Sequence, residues 1–147
     1  ELFTQLVHEG ETNSGVFELL YTFIQWLSKG RNISFNLIPY IQTRAAEAVG
    51  LNLSSEIQNL VNDRDYFFNI ETGLLSGTSE TNLSFKLSLN QAMFMKQTIN
   101  HKSTHILEHT LSIAELKQLI RHLDVYFKYH IDGYKVRKSD KLLEQII

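Results

Sequence analysis

The strongest constraint on the fold is the run SIAELKQLIRHLDVYFKYHI, residues 112–131. Its apolar positions are Ile113, Leu116, Leu119, Ile120, Leu123, Tyr126, Phe127 and Ile131. They recur three and four apart, which is the period of one helix face. Ser112, with Glu115 three residues later, makes a capping box that sets the start. Asp132-Gly133 sets the stop. A long helix with one apolar face needs neighbours to bury it.

Those neighbours are also legible. Val16, Phe17, Leu19, Leu20, Phe23, Ile24 and Leu27 form a broad stripe at helical spacing, with Ser14 as the expected N-cap and Gly30 as the stop. Phe17, Tyr21 and Phe23 are expected in the core, with Trp26 as the exception. A second helix is expected from Ser34 to Val49, closed by Gly50. Its Pro39, the chain's one proline, requires either a start near Leu37 or a bend. YFFNIETGLLSG reads as two short strands about Glu71-Thr72-Gly73. A lone hairpin is not stable, so it must pack on the helices. Ser88 opens a further helix towards Ile99, and a last one is expected from Ser139. The chain opens on Leu2, Phe3, Leu6 and Val7, a pattern that reads as a helix already under way. The expected fold is mainly α, one helical domain over 1–147 with a small β-hairpin insertion within 52–84.

Chemistry is harder to find. The spacing HKSTHILEH puts His101, His105 and His109 four apart, and imidazoles one helical turn apart often bind zinc. Ser103-Thr104 looks like an N-cap pair, which would leave His101 outside the helix of the other two. The bland alternative is an exposed helix face. Asp63 and Asp65 in NDRD read as a solvated turn. There is no phosphate-cradling glycine loop, no GxSxG elbow and no HExxH. The chain has no cysteine, which excludes disulfides and thiolate ligands. No apolar run reaches the ~18 residues of a membrane span.

The net charge of -2 hides an asymmetry. Residues 1–98 carry six Lys/Arg against ten Asp/Glu, and residues 99–147 carry eight against six, plus five of the six histidines. Basic residues at the C-terminal end interleave with Tyr126, Tyr129 and Tyr134, a combination that suits single-stranded nucleic acid. It equally suits a core with a basic rim.

At this point four segments carry a resemblance. GETNSGVFELLYTFIQWL, IQTRAAEAVGL, YFFNIETGLLS and YFKYHIDGYKVRKSDKLLEQI are similar, in order and spacing, to segments of the C-terminal region of the bacterial DNA repair protein family RecO. The last is the most specific, with Tyr129-His130, Gly133, Lys135, Lys138-Ser139 and Leu142-Leu143 in register. The resemblance implies a non-catalytic recombination mediator that binds and anneals single-stranded DNA and works with RecR to help load RecA. It also implies binding of the acidic, hydrophobic tail of single-stranded DNA-binding protein. It implies an OB domain ahead of this region, absent from this chain, and a bacterial, cytoplasmic and nucleoid-associated location.

The departures matter too. Many relatives carry zinc-binding cysteines after the position of Gly50, and Ser76 stands where the hairpin cysteine would be. The β insertion is therefore expected to replace a zinc-finger-like element, without metal or other cofactor. Pro39-Tyr40 replace basic residues that some relatives carry. Candidate contacts to nucleic acid or the acidic tail are Arg44, Arg121, Lys128, Lys135, Arg137 and Lys138. The alternatives are a metal protein centred on His101, His105 and His109, or a helical interaction scaffold.

Overall fold

The computed structural model describes residues 1–7, 13–29, 34–100, 108–136 and 145. Among them are five helices, α1 (Leu2–Leu6), α2 (Ser14–Ser28), α3 (Leu37–Ala48), α4 (Leu89–Asn100) and α5 (Ile113–His130). Four strands lie between α3 and α4: β1 (Ser54–Ser55), β2 (Tyr66–Asn69), β3 (Leu74–Ser76) and β4 (Ser84–Leu87). The fold is mainly helical with a small sheet.

α5 forms as its pattern requires. The Ser112 side chain accepts from the Glu115 N–H, and the Glu115 side chain returns to the Ser112 N–H. Leu116, Leu119, Ile120, Leu123, Tyr126 and Phe127 are buried, whereas Ile113, in the first turn, is exposed. Pro39 is the third residue of α3. In the first turn its missing N–H has no intrahelical partner to lose, so α3 begins at Leu37. α2 is capped by Asn13 rather than Ser14, because Asn13 Oδ1 accepts from the Val16 N–H at 3.1 Å. Gly30 and the helix expected from Ser139 lie outside the described residues.

The hairpin is part of a larger sheet with strand order β1-β3-β2-β4. β2 pairs antiparallel with β3 and β4, and β1 pairs parallel with β3. Asn69 Oδ1 accepts from the N–H groups of Glu71 and Thr72 and shapes the turn. Phe68 and Leu75 are fully buried. The Phe68 ring meets Tyr126 of α5 with centroids 5.5 Å apart. The Tyr126 hydroxyl donates to the Asn52 carbonyl at 2.8 Å, and His130 Nε2–H donates to the Ile70 carbonyl at 2.8 Å. The sheet is thus fastened to α5 by its apolar face and by two polar contacts.

The loop ahead of β2 is closed by one side chain. The buried Tyr66 hydroxyl accepts from the Val61 N–H at 2.8 Å and donates to the Val61 carbonyl at 3.0 Å. Removing it in Tyr66→Phe strands two backbone groups. The expected cost is about 1–2 kcal/mol, read as a lower thermal midpoint and faster protease nicking between Glu56 and Asp65.

A buried polar hub joins three parts of the chain. Asp124 Oδ1 accepts from Gln42 Nε2 of α3 at 3.1 Å and from the Tyr134 hydroxyl at 2.8 Å. Tyr134 also stacks on Phe127. Beyond it, the Lys135 N–H donates to Gln5 Oε1 at 2.7 Å, and Gln5 Nε2 donates to the Lys135 carbonyl at 2.9 Å. The segment after α5 is therefore clamped against α1.

Candidate functional site

α2 and α3 are not packed flush. Between them runs a groove of about 440 Å³. Leu19, Phe23 and Trp26 form its α2 wall, and Leu37, Tyr40 and Ile41 its α3 wall. Trp26 stacks on Tyr40 with centroids 6.2 Å apart. The start of α2 lies against the end of α3, where a Cβ added at Gly15 would make only an ordinary contact with the Ala48 Cβ at 3.5 Å.

Arg44 is the groove's cation. Its guanidinium donates to the Thr98 carbonyl at 3.1 Å and pairs with Glu47 one turn along α3. The Arg44 side chain is 11% exposed and that of Glu47 51%. Burial pulls Arg44 below the ordinary range of a guanidinium, partly offset by the Tyr40 phenol, and burial pushes Tyr40 above 10.0. Arg44 stays charged at neutral pH. Glu18 also lines the groove, so the lining is mostly apolar with mixed charge rather than broadly basic.

The other expected contacts are not gathered here. Arg121 and Lys128 are exposed on α5, and Lys135 is exposed beyond it; none lines the groove. Arg137 and Lys138 lie outside the described residues. Phe23 packs half-buried against the core as expected, but the other three aromatics of α2 depart from the expectation drawn from their spacing. Trp26 is half-buried in the groove, while Phe17 and Tyr21 are 70% and 64% exposed. Periodicity places Phe17 and Phe23 in the apolar stripe, with Tyr21 and Trp26 at its edges. Which edge of a broad stripe meets α3 is decided by the crossing of the two helices.

The metal reading finds no support among the described residues. His101 and His105 lie outside them, and no group of three His, Cys, Asp or Glu is placed to hold an ion among those described. His109 is half-buried, and Asn36 Nδ2 donates to its carbonyl. The sheet does not offer a thiolate site either. Ser76 Oγ donates to the Thr78 carbonyl at 2.9 Å, and the chain has no cysteine.

A family model described as "Recombination protein O C terminal" matches residues 1–140. The chain belongs to the RecO C-terminal family. It is 28% identical over 147 residues to the DNA repair protein RecO of Flavobacterium psychrophilum, covering 99% of this chain and 58% of that relative. It thus spans a little over half of that RecO protein's length. No solved structure matches. No helix among the described residues is long and apolar enough to cross a membrane.

Proposed function

We propose that the chain is a non-catalytic module of a bacterial DNA repair and recombination mediator, and that the α2/α3 groove docks the acidic, hydrophobic C-terminal tail of single-stranded DNA-binding protein. The reading draws on membership of the RecO C-terminal family and on the relative's designation as a DNA repair protein. RecR is the expected co-worker, and an OB domain outside this chain the main holder of single-stranded DNA. The segment 52–84 serves in place of a zinc-finger-like element, held by Tyr66, Tyr126 and the packing of Phe68 and Leu75. Nucleoid association in the bacterial cytoplasm belongs to the same proposal.

The carrying observation is a mostly apolar groove whose lining, among the described residues, includes one guanidinium, that of the largely buried Arg44. Aromatic walls take apolar side chains, and a guanidinium binds a carboxylate through two parallel N–H donors. Glu47 occupies that cation in the free chain. A docking carboxylate must displace it, and Glu47, being half-exposed, can turn to solvent.

Titration with a fluorescent peptide ending in Asp-Phe residues and a free carboxylate tests this. Arg44→Ala is expected to weaken binding at least about tenfold, the scale of one charge-assisted contact. Glu47→Gln is expected to tighten it severalfold, because the competitor for Arg44 is gone. Equal affinity in all three proteins would remove the groove from consideration.

A further inference from the structure

α2 is apolar on two sides, and the groove uses only one of them. Val16, Leu19, Phe23 and Trp26 are buried or half-buried on the side turned towards α3. Phe17, Leu20, Tyr21, Ile24 and Leu27 fall at positions i, i+3, i+4, i+7 and i+10, so they share a different side. Phe17 is 70% exposed, Tyr21 64%, Ile24 53% and Leu27 43%, and Leu20 is half-buried. Four of the ten exposed large apolar side chains among the described residues thus stand in one row on one helix. Scattered surface exposure does not account for such a row. Its alternating three-and-four spacing is that of a seam between two helices. The row also carries no charge. Glu18, the one charged residue within α2, lines the groove instead, and Lys29 follows the last turn.

We propose that two copies of this chain associate through this face, α2 against α2, antiparallel about a two-fold axis. The charge pattern selects a second copy as the occupant. An anionic partner requires cations, and the row has none. A helix lying on a membrane surface carries basic residues along its polar side, and α2 has none within its span. What fits is an uncharged helix with the same spacing, and α2 itself supplies one. A two-fold contact joins the same patch on both copies, so a charge-free row meets itself without like-charge repulsion. The antiparallel sense follows from the ends. It sets the Glu18 end of one helix beside the Lys29 end of the other and opposes the two helix dipoles. A parallel pair would set Glu18 beside its own equivalent. Seam pairing then puts Phe17 of one copy opposite Leu27 of the other, and Leu20 opposite Ile24, with the two Tyr21 rings meeting near the axis. α2 has 15 residues, about 22 Å of helix. One such face is smaller than the ~800 Å² per partner of a standard stable interface, so the pair is expected to form at micromolar rather than nanomolar concentration. The row shares no residue with the α2/α3 groove, so the two assignments stand or fall separately.

Sedimentation velocity of the 147-residue chain, across a concentration series spanning the micromolar range, provides the test. The parent is expected to pass from monomer to dimer as concentration rises. Phe17→Lys and Leu27→Glu should each weaken that association at least about tenfold, because each buries an unpaired charge in the seam. Both positions are exposed in the single chain, so the urea midpoint of the dilute monomer should not change. Mixing the two variants should restore a dimer, since the new charges then meet each other and the opposite Leu27–Phe17 contact is intact. Val125→Lys, on the exposed face of α5, should associate as the parent does. A parent that stays monomeric throughout, an unaltered dimer in Phe17→Lys or Leu27→Glu, or no recovery on mixing overturns the proposal. So does a monomer whose urea midpoint falls in Phe17→Lys, which would mean that a segment of the same polypeptide covers the row. Flotation with phosphatidylcholine vesicles that is lost in Ile24→Glu, without any dimer in solution, would assign the row to lipid and overturn it too.

Discussion

Gly73→Ala is expected to cost this protein about 2–4 kcal/mol. Two terms combine. Gly73 has φ +72, and holding a residue with a Cβ there costs about 1 kcal/mol or more. The added Cβ would also overlap the Asn52 carbonyl oxygen and lie 2.9 Å from the Tyr126 hydroxyl. That overlap cannot be relieved cheaply. Asn52 accepts from Tyr126, and the Gly73 carbonyl accepts from the Ser54 N–H at 3.1 Å, so the neighbouring strand start is held in place. Displacing it adds about 1–3 kcal/mol. Domains of this size have about 5–15 kcal/mol in hand, so the variant should unfold at a markedly lower urea midpoint. Gly50→Ala is the control. Gly50 has φ +79, and a Cβ added there would meet nothing within 4 Å. It should show only the conformational term of about 1 kcal/mol. Equal midpoints for the two variants would refute the close approach at Asn52.

Acid is expected to weaken the fold through His122. The ring lies between α5 and β4, stacked on Phe85 with centroids 4.4 Å apart and planes 13° apart. Its Nε2 is buried without a hydrogen-bond partner. Burial lowers its pKa from 6.5 to about 4. The folded state therefore keeps the ring neutral where the unfolded chain takes up a proton. Stability from this group is complete above about pH 6.5 and is lost progressively as pH falls towards about 4. The full shift corresponds to about 3 kcal/mol, and screening at a partly exposed ring reduces the expected loss to about 1–2 kcal/mol. His122→Phe retains the stack and cannot titrate. Urea midpoints between pH 7 and 4 should fall less in that variant than in the parent. Glu115 does not confuse the comparison. Burial raises its pKa, but hydrogen bonds from Ser88, Ser112 and Asn90 outweigh this and hold it below 4.5. Its stabilising effect is lost only at lower pH and is the same in both proteins. Parallel pH profiles would show that another group carries the acid sensitivity.

The helices were readable because the features that make them are local. The Ser112–Glu115 box, the apolar spacing of α5, and Gly50 closing α3 each involve residues within a turn or two of one another. The turn at Glu71-Thr72-Gly73 was legible for the same reason. Val125 and Tyr129 fell outside the apolar spacing of α5, and their exposure follows from it. β1 and β4 were not legible. Ser54-Ser55 has no strand pattern and is a strand only because β3 offers it an edge, and Ser84–Leu87 pairs with β2 across a loop.

The candidate groove shows the same division. Sequence determined that α2 is broadly apolar, that Arg44 sits on α3, and that the four RecO-like segments occur in order. It could not say that Trp26 and Phe23 would line a groove while Phe17 and Tyr21 faced water. Nor could it show that Arg44 would pair with Glu47, or that Arg121 and Lys128 would stand apart from both. Those outcomes depend on how α2, α3 and α5 cross. The crossing is set by contacts between residues far apart in the chain, such as Gln42 with Asp124 and Gln5 with Lys135. Periodicity fixes which residues share a face; only packing decides what that face meets.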